Sequence, residues 1–545
     1  MKRWLMLGMM LVIALMLAAC TANESAGEKE KDDGGEAAEE TETEEKVLYM
    51  NNGDEPTSLN PPVGFNAVSW NMLNNLMEGL TRLGEDDTPQ PAIAEDWDVS
   101  EDGKTYTFHL REDANWSNGD TVTADDFVYA WTEMLSSESE SPAAFLGYFI
   151  EGGEAFNSGE GSAEDLGVAA KDNKTFEVTL EAPTGFFLHV ITNPAFFPVN
   201  KEVAEENPKW HAEADSFVSN GPFTLESWEH NKELMMVKND EYWDKDTVNL
   251  DKIHWAMVKD TNTEYQMFEN GELDMTDIPS DLAEQLIDGD NVTIEEQAGL
   301  YFYRFNVDEE PFQNEKIRQA FALAVNQQDI VEFVTKNEEE AAHAFVSPGF
   351  PDPSGTDFRE ANDDLVTFDA DEAKALLEEG MEEEGYDELP PVTLTYSTDE
   401  DHKAIAETLQ NFFSENLDVD VTLENTEWNV FLEDQKSLKH QLSQSSFLFD
   451  YGDPVNFLES FITDSSMNRT GWSNEKYDDL IADIKAETDE DKRWELMAEA
   501  EQLLAEEMPF FPIHYYNQVH IYQDNISGVV RHPVGYVELK WADKE

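Results

Sequence analysis

A single thiol sets the first boundary on how this chain can fold. Cys20 is the only cysteine among 545 residues, so no intramolecular disulfide and no Cys-x-x-Cys metal or redox site can form. Any folded part must hold by packing alone. The side chains for that are plentiful, with 32 Phe, 16 Tyr and 13 Trp in a chain that is 40% apolar, which argues against disorder throughout. The length leaves room for about three domains.

Charge sets the second boundary. The chain carries 119 acidic and 34 basic residues, a formal net charge of −85. A phosphate backbone would be repelled wherever the surface is not locally basic, which excludes a nucleic-acid binder. Self-repulsion of this size opposes a compact state in dilute salt. It becomes tolerable where ions screen it, since the Debye length falls to about 3 Å near 1 M salt. The excess therefore predicts a protein that faces a salty or alkaline medium, the habitat of a haloalkaliphile, with a stability that depends on salt.

The beginning of the chain reads as a secretory signal. Lys2 and Arg3 precede an apolar stretch over 5–17 that is too short for a confident membrane span. Leu17-Ala18-Ala19-Cys20 resembles the lipobox of bacterial lipoproteins, with small residues for the peptidase and a thiol for the diacylglycerol. Residues 1–19 are thus expected to be removed, and Cys20 to carry acyl chains, palmitate among them, that anchor the protein to a membrane. Residues 21–46 hold 11 acids, 3 bases and no aromatic residue. Such a segment cannot bury enough surface to fold, so 20–46 is expected to be a solvated tether.

The folded part is expected to begin near Val47. No fixed-period repeat is present, which removes solenoids and propellers. Two stretches, 106–110 and 176–180, alternate in the two-residue period of half-buried strands, each after a turn signal. Asn314 is a plausible N-cap for a helix over 315–336, with Ile317, Phe321, Ala324 and Val325 on one face. A second helix is expected over 369–379, stopped by Gly380. A third is expected over 492–507, with Trp494, Met497 and Leu504 inward and Pro509 ending it. The mixture reads as α/β or α+β in several domains.

Several segments taken together resemble the peptide-binding lipoproteins of ABC import systems, the extracellular solute-binding proteins of family 5. The longest runs from Pro91-Ala-Ile-Ala-Glu-Asp-Trp97 through Tyr106-Thr-Phe-His-Leu-Arg111 and Trp116-Ser-Asn-Gly119 to Thr123-Ala-Asp-Asp-Phe-Val-Tyr-Ala-Trp131. Asn220-Gly-Pro-Phe223 with Glu241-Tyr-Trp-Asp244, Phe305-Asn-Val-Asp308 with Ile317-Arg-Gln-Ala-Phe321, and Asp450-Tyr-Gly-Asp-Pro-Val-Asn-Phe457 are similar to further blocks. Within them Trp97, Phe108, Trp116 and Trp131 are expected to be core, and Asn118-Gly119 a turn. The resemblance implies an α/β, two-lobed type II periplasmic-binding-protein fold with an extra inserted subdomain. The lobe I core would comprise 47–75, 201–298 and 509–545, the inserted subdomain 76–200, and lobe II 299–508. Closure about a hinge would bury the ligand. The implied partners are a peptide and the permease and ATPase subunits of an importer, with the receptor a monomer.

A receptor for varied peptides must read what all peptides share: the amine, the backbone amides and the carboxylate. The resemblance places the amine-binding carboxylate at Asp450, with Asp453 before Pro454 as a turn-former. It places Trp428 and Phe447 as walls of side-chain pockets, although core packing is an equal account of Phe447. Lys336 and His402 fall where relatives hold basic residues near the peptide carboxylate. Departures are also visible. Gln435 and Gln444 stand where relatives have arginines, an acid expected near Phe65 is missing, and so is an aromatic residue expected near Ala143. Carboxylate capture is thus left open, as are a signalling peptide, a metal chelate or another small solute as ligand.

An enzyme is the competing class. No HExxH, GxSxG, Walker loop or dinucleotide fingerprint occurs, and no cofactor is implied. The segment 244–251 resembles a calcium loop but lacks the central Gly and terminal Glu, so it reads as a turn. His514 and His520 lie in a strand-like stretch and read as structural. A glycosidase stays formally open, because paired carboxylates cannot be diagnosed in so acidic a chain.

Overall fold

A computed structural model describes residues 45–545 apart from 280, 281, 288 and 464, and apart from the side chains of 284, 400 and 429. Cys20, the signal and the tether as far as residue 44 lie outside the described residues. Three sheets organise the chain. The first runs in the order Val47–Asn51, Lys252–Ala256, Glu233–Lys238, Phe223–Glu229, with only its first pair parallel. The second is antiparallel, in the order Ala94–Val99, Thr105–Leu110, Thr175–Thr179, Val168–Asp172. The two strands expected from alternation are its central pair. Tyr106, Phe108 and Leu110 point one way into the core with Phe176 and Val178, as the pleat requires. Phe108, Trp116 and Trp131 are fully buried and Trp97 partly so. Gly119 takes the turn at φ +89.

The third sheet has seven strands and is mixed. Its centre is an antiparallel pair of unusual length, Val292–Phe305 against Phe510–Tyr522. On one side lies Met275–Asp277, and the two-residue strand Glu340–Ala341 also pairs with Phe510–Tyr522. On the other, Leu442–Leu448, Val392–Ser397 and Val421–Thr426 follow in order, the last two parallel and joined by the helix Glu400–Leu417. That strand–helix–strand unit is the standard way to join parallel neighbours. The long strand Val292–Phe305 is irregular opposite its partner between Gln297 and Leu300. Gly299 sits there because a Cβ would stand 2.6 Å from Leu448 Cδ2 and 2.9 Å from the Tyr516 ring.

The helices depart from the sequence reading in two places. The helix expected over 315–336 stops after Glu315–Leu323. The chain restarts at Gln327–Ile330, capped by the Asn326 side chain, and continues as the π-turn Val331–Thr335. Asn326 is the reason, because its side-chain oxygen takes the Asp329 N–H and so favours a new N-terminus. The second helix spans Ala370–Glu384 and ends at Gly385 in the left-handed region, φ +75. Gly380 is not its stop. It is buried against the Glu315–Leu323 helix, where a Cβ would lie 2.7 Å from Ile317 Cγ1. The third helix, Glu490–Glu507, follows the expectation, with Met497 and Leu504 fully buried and Met508 capping it before Pro509. Residues 244–251 form a turn in which Asp244 pairs with Lys540 at 2.7 Å.

Candidate functional site

The loop 449–454 connects the strand Leu442–Leu448 to the short helix Val455–Leu458. Its composition dictates its shape. Asp453 accepts the Val455 N–H at 3.0 Å and so turns the chain into the helix. Both carboxylate oxygens of Asp453 also receive the buried Arg493 guanidinium, at 3.1 and 2.7 Å. Tyr451 lies face to face on Phe186, ring centres 5.4 Å apart, and donates its hydroxyl to Glu459 at 2.8 Å. Gly452 lets His189 approach, since a Cβ would sit 3.0 Å from its Nδ1. Burial first, with the Arg493 charge also opposing protonation, pushes the His189 imidazole down to about 4, although Asp453 pulls the other way.

Asp450 is held by its main chain. Its N–H donates to Asn456 Oδ1 at 2.8 Å, and its carbonyl accepts from Asn193 Nδ2 at 3.4 Å and from Tyr536 Oη at 3.3 Å. Asn193 and Tyr536 also bond to each other at 2.9 Å. These clamps free the Asp450 carboxylate from structural work. Among the described residues no cation is paired with it. Burial, reinforced by the negative charge of Glu459, pushes it up to about 6, with only the Asn456 side chain favouring the ionised form. A half-buried carboxylate of this kind is a poor anion by itself and a good partner for an incoming ammonium group.

Lys336 and His402 come together elsewhere, on the wall of a cavity of about 660 Å³ shared with Tyr301, His514, Tyr516 and Asp399. His402 Nδ1 lies 2.7 Å from Ser397 Oγ, which donates to Gln444 Oε1 at 3.2 Å. With its hydrogen directed at Gln444, Ser397 accepts from His402 Nδ1–H; in the imidazolium form Nε2 also carries a hydrogen and can donate to an anion. Gln444 thus orients His402 from the position where relatives of this type are expected to carry an arginine. His514 stacks on Tyr301 at 5.0 Å, and burial holds its imidazole low. A second cavity, of about 430 Å³, shares Ile278 and Asn337 with the first and is lined by Asn52, Glu264, Asp277 and His520. Burial, then the Asp277 charge, pushes Glu264 up to about 7.

The remaining expected residues are not gathered with these. Trp428 opens the helix Trp428–Lys436, is 47% exposed and stacks on Phe431. Phe447 is buried edge-on against Phe449 and Phe457. By register it shares the face of Leu300 and Phe302, opposite to Tyr301 and Ser446. Gln435 is buried and donates to Ser443 and to the Gln444 carbonyl. Sequence reasoning missed Asn193, Tyr536, Phe186 and Arg493 around Asp450, and it read His514 only as structural. None of the four missed residues carries a local signal, because each reaches the loop from a distant part of the chain.

The arrangement of sheets defines the class: a mixed α/β solute-binding protein of the two-lobed periplasmic type. Solved structures agree with it. The structure matches MppA, a periplasmic murein tripeptide binding protein in its unliganded open form, with a TM-score of 0.81 and 27% identity, covering 92% of this chain and 98% of that one. It matches Listeria monocytogenes OppA bound to peptide at 0.72 with 31% identity, over 92% and 99% of the two chains. The family description "Bacterial extracellular solute-binding proteins, family 5 Middle" matches residues 88–469, and the chain belongs to that family. Among its relatives, the dipeptide-binding protein DppE of Bacillus subtilis (strain 168) is 59% identical over 543 residues, 100% of this chain and 99% of DppE.

Proposed function

We propose that this chain is an extracellular receptor that captures oligopeptides in the cleft between its lobes and hands them to an ABC importer. The observation that carries the reading is the Asp450 carboxylate, half-buried, pushed up to about 6 and without a cation among the described residues. A peptide ammonium would supply that cation. The 59% identity to DppE, a dipeptide-binding protein, supports the same ligand class. The peptide carboxylate would be met by Lys336 and His402 in the 660 Å³ cavity, with Trp428, exposed on its helix, contributing apolar surface to a side-chain pocket; Phe447, packed in the core on the opposite strand face, would not. No covalent step is part of this function; the ligand is released intact to permease and ATPase subunits.

The reading includes a division at the long strand pair. Lobe I would comprise 47–75, 76–200 as an insert, 201–298 and 509–545, and lobe II 299–508. The 0.81 match to an open form against 0.72 to a peptide-bound one supports an unliganded starting state that closes on its guest. Lipidation at Cys20 would hold a monomer on the outer face of the membrane in a salty or alkaline medium. Mass spectrometry of the ligand that co-purifies, followed by calorimetry with free and C-terminally amidated peptides, tests the proposal. Peptides are expected in the purified protein, and amidation is expected to weaken binding in wild type but not in K336A/H402A. A co-purifying ligand that is not a peptide overturns it.

A further inference from the structure

The chain has 34 basic residues against 119 acids, so any cation could be matched to a carboxylate several times over. Two arginines, one in a central strand of the third sheet and one in the loop before the helix Glu475–Ala486, are not. Arg304, in the strand Val292–Phe305, is 2% exposed; it donates Nε to Ser445 Oγ at 2.9 Å and Nη1 to the Met467 carbonyl at 2.7 Å. Its guanidinium also lies 4.9 Å from the Phe302 ring centre and 5.5 Å from that of Phe461. Arg469 stands beside it, donating Nη1 to Gln435 Oε1 at 3.2 Å and resting Nη2 against the Met467 sulfur at 3.8 Å. The Nε of Arg469 is shielded from solvent and has no acceptor. Among the described residues, no carboxylate forms an ion pair with either guanidinium. The acid whose charge reaches Arg469, Glu433, is exposed and held by Lys436 at 3.0 Å.

Two like charges side by side, one fully buried and one half-buried, with neutral partners form an arrangement that proteins rarely leave uncompensated. The strain is visible in Arg304, which burial and the Arg469 charge push down to about 9. Ser445 accepts from Arg304, so its own O–H remains available as a donor. The donors left over here, the Arg469 Nε–H and the Ser445 hydroxyl, beside two guanidinium charges, are of the kind that bind an anion.

We propose that Arg304, Arg469 and the Ser445 hydroxyl hold a small inorganic anion, a halide such as chloride. The sheet itself argues for a dissolved ion over the carboxylate of a peptide. By register Arg304 pairs with Ser443 and Phe302 with Ser445, on the face opposite to Tyr301, Ser446 and the cavity of Lys336 and His402. The site is thus independent of the ligand assigned above. The anion acts as an internal counter-ion for this pair of guanidinium groups in an acidic protein.

The test uses the full chain without peptide, melted in sodium chloride and in sodium gluconate at equal sodium concentration, since gluconate is too large for the site. Chloride is expected to raise Tm saturably, by about 1–3 °C over the gluconate series. Arg469 is only half-buried, so R469Q should fold and lose that chloride-specific increment; S445A, which keeps both charges, should need more chloride to reach it. A crystal grown in bromide should show an anomalous peak beside both guanidinium groups. Equal chloride increments in wild type and R469Q, or bromide data without a peak at Arg304, overturn the proposal.

Discussion

Replacing Asp450 with asparagine should make the empty protein more stable and the receptor useless. The folded carboxyl titrates at about 6, against about 3.9 for an aspartate in an unfolded chain. The folded state therefore prefers the protonated form, and the ionised group opposes folding. That opposition is complete above pH 6, shrinks as the pH falls toward 4 and is absent below both values. The difference corresponds to about 3 kcal/mol at pH 8. Unfolding a chain of this size carries an entropy of about 1 kcal/mol per kelvin, so D450N should raise Tm by roughly 3 °C at pH 8 and by nothing at pH 4. Peptide affinity moves the other way, because an ammonium group binds the ionised carboxylate. Wild-type Kd should rise about tenfold for each pH unit below 6, whereas D450N should bind weakly at every pH. Thermal melts and calorimetry from pH 4 to 8 read both effects. A D450N protein that melts at or below wild type at pH 8, or that binds peptides with wild-type affinity, refutes the reasoning.

Other groups around the loop and its supports make separate predictions. His189 has the opposite sign to Asp450: its folded value of about 4 lies below the ordinary 6.5, so stability is lost as the pH falls through that interval, by up to about 3 kcal/mol. The two effects nearly cancel in wild type, and H189Q should leave a protein whose Tm rises on acidification from pH 6.5 to 4. Asp453→Asn leaves the buried Arg493 with only the partly exposed Glu490, and should cost about 3 kcal/mol, read as a fall in Tm at pH 8. Gly380→Ala drives a methyl group to within 2.7 Å of Ile317 and 2.8 Å of Asn314, and should cost about 1–3 kcal/mol in urea unfolding while leaving peptide binding intact.

Local order was legible wherever one residue type answers to its own neighbours. The strands Thr105–Leu110 and Thr175–Thr179 follow from alternation because a pleated strand sends every second side chain to the same face. The helix Glu490–Glu507 follows from its apolar spacing and the proline behind it. The loop after Leu448 was legible as a block of the family, and Lys336 and His402, expected near one end of a ligand, line one cavity. By contrast, the helix begun at Glu315 breaks because one cap, Asn326, outweighs an unbroken apolar face. The glycine read as a stop, Gly380, serves a neighbouring helix that the local pattern does not mention.

The amino-acid order by itself determined the central strand pair Thr105–Leu110 and Thr175–Thr179 and the helix Glu490–Glu507, that the core must do without disulfides, and which family the blocks resemble. Only the tertiary structure decided the chemistry of the loop. The acidity of Asp450 depends on Glu459 and on burial beneath Asn193 and Tyr536, and the orientation of His402 on Ser397 and Gln444. Electrostatic energies are set by distance through space and by exclusion of water. Residues hundreds of positions apart fix both quantities only once the chain has closed on itself.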